Sequence, residues 1–159
     1  MFKFYHALGF LWVLPVSILG WIFMGLMYLL RQVESVNVYP DLSFVWDLDN
    51  RSFFYRRMAG KWFGFAVGNN IVLIDLDDSD ANERGYLHER RHVMQNYAWG
   101  IFFFPAYIIE SLRVYLWCPE KHSYLDNRFE RDAREYAGQP VNIPRSHWPD
   151  GPNDTWIWF

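Results

Sequence analysis

The sequence predicts an α+β fold, in which an N-terminal transmembrane helix is followed by a small β-sheet or hairpin and then by two further helices. Three observations predict it. Residues 7–30 carry no charge, two β-branched and aromatic runs meet across a Gly/Asn turn, and two later segments have helical periodicity. These segments divide the chain into an anchor (1–31), a linker (32–42), a globular domain (43–137) and a tail rich in Pro and Trp (138–159).

The composition limits which classes of protein this chain can belong to. With 159 residues, the chain has room for one compact domain and a small appendage. Its aromatic fraction is 21% and includes nine Trp, a residue that favours membrane interfaces. The net charge of −3 and the lack of a basic run argue against a nucleic-acid partner, which would require clustered Lys and Arg. The single cysteine, Cys118, excludes an intrachain disulfide and a Cys-rich zinc site.

The uncharged segment over residues 7–30 predicts a single-pass membrane anchor. A bilayer core of about 30 Å needs about 20 apolar residues in a helix. The alternative is a cleaved signal peptide, but the apolar core of a signal peptide is usually about 7–15 residues long. The lipid bilayer is therefore a predicted partner. Lys3 and Arg31 balance the two flanks, so charge assigns no side of the membrane to the domain.

Short strand-like runs follow the linker. Residues 42–46 and 52–56 each predict a strand because they are rich in aromatic residues. Residues 61–67 and 71–75 predict a β-hairpin, since only Gly68, Asn69 and Asn70 separate them.

The next segment contains an HExxH motif. Asp80 and Glu83 form a D-x-x-E capping box, which predicts a helix from Asp80 to about residue 99. His88 and His92 then lie one turn apart on one face, where both imidazoles can bind one Zn²⁺ at about 2.0–2.1 Å. Glu89 lies beside them, close enough to act as a base toward a water on the metal.

Residues 99–109 form an apolar run that is too short to span a bilayer. Pro105 is predicted to break it, so the run is either a core segment or one that rests on the membrane surface. Residues 112–117 predict a helix that ends at Cys118 and Pro119.

A third metal ligand is expected because catalytic zinc has three protein ligands and one open position. Residues 124–137 predict a charged amphipathic helix, and Glu130 borders its buried stripe. The stripe comprises Phe129, Ala133, Tyr136 and Ala137. Glu130 is therefore the predicted ligand; the alternative is a surface glutamate paired with Arg134. The other candidate ligands are Glu110, His122 and Asp132, and a site without a third ligand is also open.

The HExxH motif, the following Gln95, a Gly-aromatic-Pro segment and residues 127–133 together resemble the gluzincin-type zinc metallopeptidases, especially small membrane-associated forms. The resemblance covers about residues 62–137. It implies a zincin-like metallopeptidase domain with Zn²⁺ bound by His88, His92 and Glu130, and with Glu89 as the base. It also implies an extended peptide or protein substrate beside an edge strand, either residues 61–67 or 71–75.

The chain departs from the pattern of larger gluzincins at two positions. Phe129 stands where they have Asn, and Arg134 stands where they have an acidic residue, which leaves open what supports the histidines from outside. The resemblance also implies a Tyr or His that stabilises the oxyanion. Tyr124 is the predicted residue, and His122 and Tyr107 are the alternatives.

The sequence thus predicts a membrane-anchored zinc-dependent peptidase, in which Glu89 activates water for attack on a peptide carbonyl. The alternative is a catalytically inactive metal-binding membrane protein with a structural or scaffolding role, which could belong to a membrane-protein assembly. The dense aromatic residues and the short chain permit this alternative, because a small protein with an anchor leaves little surface for a deep substrate cleft.

Overall fold

The computed structural model describes residues 4–58, 64–74 and 79–144, and these residues form an α+β fold. The elements in chain order are α1 (Phe4–Leu29), β1 (Val33–Val38), β2 (Phe44–Leu48), α2 (Phe53–Met58), β3 (Gly64–Val67), β4 (Asn70–Leu73), α3 (Ser79–Trp99), a 3-10 turn (Gly100–Phe102), α4 (Phe103–Trp117) and α5 (Arg128–Tyr136). The predicted class, with an N-terminal apolar helix, a small sheet and later helices, is confirmed.

The four strands form one mixed sheet in the order β1-β2-β4-β3. β2 and β4 are parallel, with Val45 opposite Ile71, and the β1–β2 and β3–β4 pairs are antiparallel. The predicted hairpin is confirmed as β3–β4, and Gly68 in its turn has φ +63, a conformation that glycine adopts without strain. Residues 61–63 and Asp75, which the prediction included, lie outside the described residues.

The predicted linker over residues 32–42 is wrong for its first half, because Val33–Val38 form β1 at one edge of the sheet. Three β-branched valines give this run a preference for strand. Polar side chains reinforce the pairing: Ser35 Oγ donates to Asp47 Oδ2 at 2.5 Å, and Asn37 Nδ2 lies 3.3 Å from the same oxygen. The segment is therefore part of the sheet.

The strand predicted over residues 52–56 is also wrong, because Phe53–Met58 form the short helix α2. Ser52 Oγ accepts a hydrogen bond from the Tyr55 amide at 3.0 Å, and Gln32 Oε1 accepts one from the Phe54 amide at 3.2 Å. These acceptors satisfy amides of the first helical turn and so favour a helix over a strand. The strand predicted over 42–46 exists, shifted to Phe44–Leu48.

Pro105 does not break the segment in which it lies, contrary to the prediction. It is the third residue of the continuous helix α4, where the backbone N–H that proline lacks would have no intrahelical partner. The predicted helix end is confirmed, since Cys118 is the C-cap.

The core joins α1 to the sheet. One cluster contains Met24 of α1 with Val33, Trp46, Leu48, Val72 and Ile74. A second cluster, Val45, Ile71 and Val93, joins the sheet to α3. Among the described residues, one helix is long and apolar enough to cross a membrane: α1, over Ala7–Leu29. A signal sequence or a core helix of a soluble protein meets the same criterion.

Candidate metal centre

Helix α3 carries the HExxH motif on a face that is buried and polar. The predicted helix is confirmed over Ser79–Trp99. Its buried residues are Gly85, His88, Glu89, His92, Val93, Gln95 and Asn96. Polar side chains are rarely buried without partners, because an unpaired buried polar group destabilises the fold. The hydrogen-bond partners of these buried polar side chains therefore indicate which function this face of α3 serves.

Glu130 is brought to α3 by the way in which α5 begins. Asn127, which is fully buried, is the N-cap: its Oδ1 accepts from the Phe129 amide at 2.9 Å. Its Nδ2 donates to the Tyr107 carbonyl at 3.1 Å and to Ser111 Oγ at 2.8 Å, which fastens the start of α5 to α4. Glu130 lies in the first turn and is 3% exposed, so the prediction that it borders the buried face is confirmed.

Three side chains converge on one point. The Nε2 atoms of His88 and His92 lie 3.2 Å apart, and each lies 3.2 Å from an oxygen of the Glu130 carboxylate. Donors bound to one metal at about 2.0–2.1 Å in a tetrahedron are about 3.3 Å apart. The observed spacing is thus that of a ligand set around a single ion, and the three residues form a buried group that could hold one.

Each imidazole is held by a glutamine on its far side. His88 Nδ1 lies 3.1 Å from Gln139 Oε1, and His92 Nδ1 lies 2.8 Å from Gln95 Oε1. An amide oxygen only accepts hydrogen bonds, so each Nδ1 carries the proton when its ring is neutral. The lone pair of each Nε2 then points toward the other histidine and toward Glu130.

A chain of hydrogen bonds fixes the Gln95 amide in this orientation. Gln95 Nε2 donates to the Phe129 carbonyl at 3.0 Å and to Asp132 Oδ2 at 2.6 Å, so its oxygen faces His92. Asp132 also accepts two hydrogen bonds from Arg91, at 2.7 and 2.9 Å. Arg91, Asp132 and Gln95 therefore hold the His92 ring from behind, as outer partners of metal ligands do.

The other arginine between the two histidines, Arg90, links α3 to the segment just before β2. Arg90 Nε donates to Asp41 Oδ2 at 2.7 Å, and Ser43 Oγ donates to Asp41 Oδ1 at 2.6 Å. Tyr97 OH donates to the Asp41 carbonyl at 2.8 Å. The two arginines of the motif thus fix the helix on both sides of the two histidines.

The two Nε2 atoms and the Glu130 carboxylate are acceptors that face one another, so a positive charge between them would stabilise the arrangement. Glu130 Oε2 is buried and receives no hydrogen bond from a neutral His88 ring, whose Nε2 lies 3.2 Å away and carries no proton. Burial opposes ionisation of Glu130, but His92 and His88 hold the pKa of its carboxyl well below its usual value. Burial likewise opposes protonation of His92, but Glu130 raises the pKa of His92 to about 9. A proton balances the carboxylate when no metal is bound, and a metal ion would replace that proton.

Glu89 lies beside this group and against the edge strand. Its side chain is buried, and burial raises the pKa of its carboxyl, with Glu130 acting in the same direction and the two histidines opposing. A Cβ added at Gly64 of β3 would lie 3.3 Å from Glu89 Cγ. The glycine therefore lets β3 pass close to the Glu89 side chain, although the tightest contact of such a Cβ would be with the Val72 carbonyl oxygen.

Two tyrosines, Tyr107 and Tyr124, also lie next to Glu130. Tyr107 OH donates to Glu130 Oε1 at 2.7 Å. Burial, and then the charge of Glu130, raises the pKa of Tyr107 and that of Tyr124 well above the usual value, so both remain protonated donors. His122, the other oxyanion candidate, instead accepts hydrogen bonds at its Nδ1 from the amides of Tyr124 and Leu125, both at 3.2 Å.

The remaining candidate ligands have other partners. Glu110 accepts two hydrogen bonds from Arg113 at 2.8 Å, and Asp132 pairs with Arg91. Arg134, which was expected to pair with Glu130 if that residue were at the surface, is buried; its Nη2 donates to the Leu125 carbonyl.

Sequence reasoning missed the role of Gln139, which it assigned to the tail. Gln139 follows Gly138, whose φ is +66, and the Gln139 amide donates to the Arg134 carbonyl at 2.8 Å. This turn after α5 directs the Gln139 side chain back to His88. No motif marks the residue, because its role depends on a loop conformation. The tail beyond residue 144 lies outside the described residues.

The resemblance to gluzincin-type peptidases stays a prediction, because no protein-family model, no curated protein and no solved structure matches this chain.

Proposed function

We propose that this chain is a membrane-associated zinc-dependent peptidase, with His88, His92 and Glu130 as metal ligands and Glu89 as the general base. The observation that supports it most is the convergence of two Nε2 atoms and one carboxylate at 3.2 Å spacing, with a second carboxyl group, that of Glu89, next to them. Two imidazoles and one carboxylate are the protein ligands of a common class of hydrolytic zinc sites.

Zinc, when bound, supplies a Lewis acid that polarises a carbonyl and makes water more acidic. In this proposal, Glu89 would accept the proton that such a water gives up and would deliver it to a leaving amine. Its raised pKa favours this role, because a base works best when its pKa approaches the working pH.

Tyr124 is the proposed donor to the oxyanion. Its raised pKa keeps the phenol protonated, so it can donate a hydrogen bond where negative charge develops. Tyr107 is the alternative donor: its hydroxyl lies 2.7 Å from Glu130 Oε1, and Tyr124 also has a side-chain hydrogen bond with Glu130.

The edge strand β3 is the proposed site for an extended peptide substrate. β4 lies between β2 and β3, so within the described sheet only β3 offers an open edge next to α3. A peptide paired with this edge would run past Gly64 and therefore past Glu89.

A structural metal site is the second candidate function. It is favoured by low exposure: His88, His92 and Glu130 are 8%, 7% and 3% exposed, as expected of a closed site. A protein of this kind would bind zinc stoichiometrically and cleave no peptide.

The Glu89→Gln variant tests the proposal. The amide keeps the shape of the side chain but cannot take a proton, so zinc should stay bound while cleavage of a peptide library falls by about 10²–10⁴-fold. Glu83→Gln is the matched control, because Glu83 is an exposed glutamate on the same helix. Equal cleavage by Glu89→Gln and wild type refutes the base role. Bound zinc without any cleavage by the wild type supports the structural candidate.

A further inference from the structure

Helix α1 is packed against the domain along most of its length. Gly9 lies so close to α3 that an added Cβ would fall 2.6 Å from Tyr97 Cβ. Met24, near the other end, is 1% exposed and belongs to the sheet core. From Gly9 to Met24 the helix advances about 22 Å at 1.5 Å per residue. α1 is therefore part of the folded domain.

The middle of α1 is fixed to the domain by hydrogen bonds. Ser17, which is fully buried, accepts at its Oγ from the Asn69 amide at 3.1 Å, and its carbonyl accepts from Asn70 Nδ2 at 3.2 Å. Asn69 and Asn70 are themselves 0% and 1% exposed. The turn between β3 and β4 thus lies at the midpoint of the apolar helix.

The opposite face of α1 is apolar and exposed. Its members are Leu8, Leu11, Ile18, Leu19, Ile22, Leu26 and Leu29, which are between 43% and 78% exposed. The apolar surface continues onto the 3-10 turn, where the Phe102 ring lies 6.2 Å from Trp12 and is 56% exposed. A continuous apolar surface of this extent on a folded domain marks an interaction site.

An upright, membrane-crossing α1 conflicts with this packing. The elements that α1 contacts along about 22 Å would then enter a hydrocarbon layer about 30 Å thick. Among them is α2, which packs on α1 through the Phe23–Phe54 ring contact at 6.0 Å and exposes Arg56 and Arg57. The sheet would also carry the open edge of β1 with it. Exposed charges and open strand edges are not tolerated in contact with acyl chains.

We infer that α1 lies in the plane of a bilayer surface, with its exposed apolar face among the acyl chains, and does not cross. Both ends of α1 and the metal centre then lie on one side of the membrane. Three arginines follow α1 or lie next to its C-terminal half, where they would bind anionic headgroups: Arg31, Arg56 and Arg57. The inference deepens the proposed membrane association and does not depend on peptidase activity.

A bilayer fits this face better than a protein partner does. Protein interfaces carry about one hydrogen bond per 100–200 Å². The seven exposed aliphatic residues on α1 offer no side-chain donor or acceptor, and acyl chains require none. The exposed face of α1 is therefore suited to acyl chains, while its other face is occupied by the domain.

Site-directed labelling distinguishes the two orientations. In a Cys118→Ser background, single cysteines are placed before α1 (Lys3→Cys) and after β2 (Asn50→Cys, at an exposed position). Sealed membrane vesicles that contain the full chain are treated with a membrane-impermeant maleimide, with and without permeabilisation. An in-plane helix predicts that both cysteines react from the same side. Reaction from opposite sides means that α1 crosses, and overturns the inference.

Flotation with liposomes tests whether lipid covers the face. The purified chain should float with vesicles of phosphatidylcholine and phosphatidylglycerol. Leu19→Lys and Ile22→Lys should each lower the bound fraction about tenfold, a factor comparable to the transfer of one large aliphatic side chain. Val38→Lys is the matched control, because Val38 is 61% exposed on β1. A wild type that does not float, or a control that loses as much binding, overturns the inference. Loss of peptidase activity with flotation intact refutes only the proposed function.

Discussion

The Nε2 atoms of His88 and His92 lie 3.2 Å apart, with both lone pairs directed toward the same point as the Glu130 carboxylate. Helical geometry explains why the two histidines lie side by side, because residues four apart on α3 share a face. The orientation of their rings depends on Gln139 and Gln95, whose side-chain oxygens contact the Nδ1 atoms. An arrangement of acceptors that face one another is stable only with a cation or a proton between them.

Removing the carboxylate of Glu130, the proposed third ligand, should weaken metal binding. Glu130→Gln removes the charge of the buried carboxylate, and we expect zinc affinity to fall by more than about 100-fold, since even outer partners contribute about 10–100-fold. Competition with a fluorescent chelator measures it. Glu135→Gln, at an exposed position of the same helix, should match the wild type. An unchanged affinity in Glu130→Gln would show that Glu130 is not a ligand.

Gln139 should act as a positioning residue for His88. Gln139→Ala leaves the His88 Nδ1 without its acceptor, so zinc affinity should fall by about 10–100-fold. Gln139→Glu keeps an acceptor at the same place and should retain most of the affinity. If both variants bind zinc like the wild type in the same chelator titration, the Gln139 contact does not orient the ligand.

Asn127 should stabilise the fold through the start of α5. Asn127→Ala removes an N-cap and two buried hydrogen bonds, so the free energy of unfolding should fall by about 1–3 kcal/mol. Asn127→Asp keeps the cap acceptor but places a buried carboxylate oxygen against the Tyr107 carbonyl, so it should lose at least as much stability as Asn127→Ala. Urea unfolding in detergent, followed by circular dichroism, measures both, and an unchanged midpoint in Asn127→Ala would contradict the assignment.

The Asp41–Arg90 pair should make stability depend on pH. Burial alone would raise the pKa of Asp41, but Ser43 and Arg90 lower it below the ordinary 3.8. A carboxyl whose folded pKa is depressed stabilises the fold above the unfolded pKa, and this contribution disappears as the pH falls through the folded value. Asp41→Asn should therefore be less stable than the wild type at pH 7, and the difference should shrink below about pH 3.8. A difference that is the same at pH 7 and pH 3 in urea unfolding would contradict this reading.

Local patterns predicted the parts of the fold that have strong local causes. The HExxH helix was predicted from its capping box, the β3–β4 hairpin from its Gly/Asn turn, and the buried position of Glu130 from the stripe that includes Phe129 and Ala133. In each case the residues that determine the structure are neighbours in the sequence.

The predictions were wrong where residues that are distant in the sequence determine the local structure. Residues 33–38 become a strand because Asp47 of β2 binds their polar side chains, and residues 53–58 become a helix because Ser52 and Gln32 accept from its first amides. The sequence signals of an aromatic run do not distinguish strand from short helix. Gln139 reaches His88 in the candidate metal centre only because of a turn after α5, which no periodic pattern in the sequence predicts.

The most direct test of the central claim is the metal content of the purified full-length chain, measured by inductively coupled plasma mass spectrometry after dialysis against zinc and then against buffer. We expect about one zinc ion per chain in the wild type and almost none in a His88→Ala, His92→Ala variant that keeps the helical circular dichroism of the wild type. A wild type that retains no metal, or a double variant that retains as much as the wild type, would contradict the claim that His88, His92 and Glu130 form a metal site.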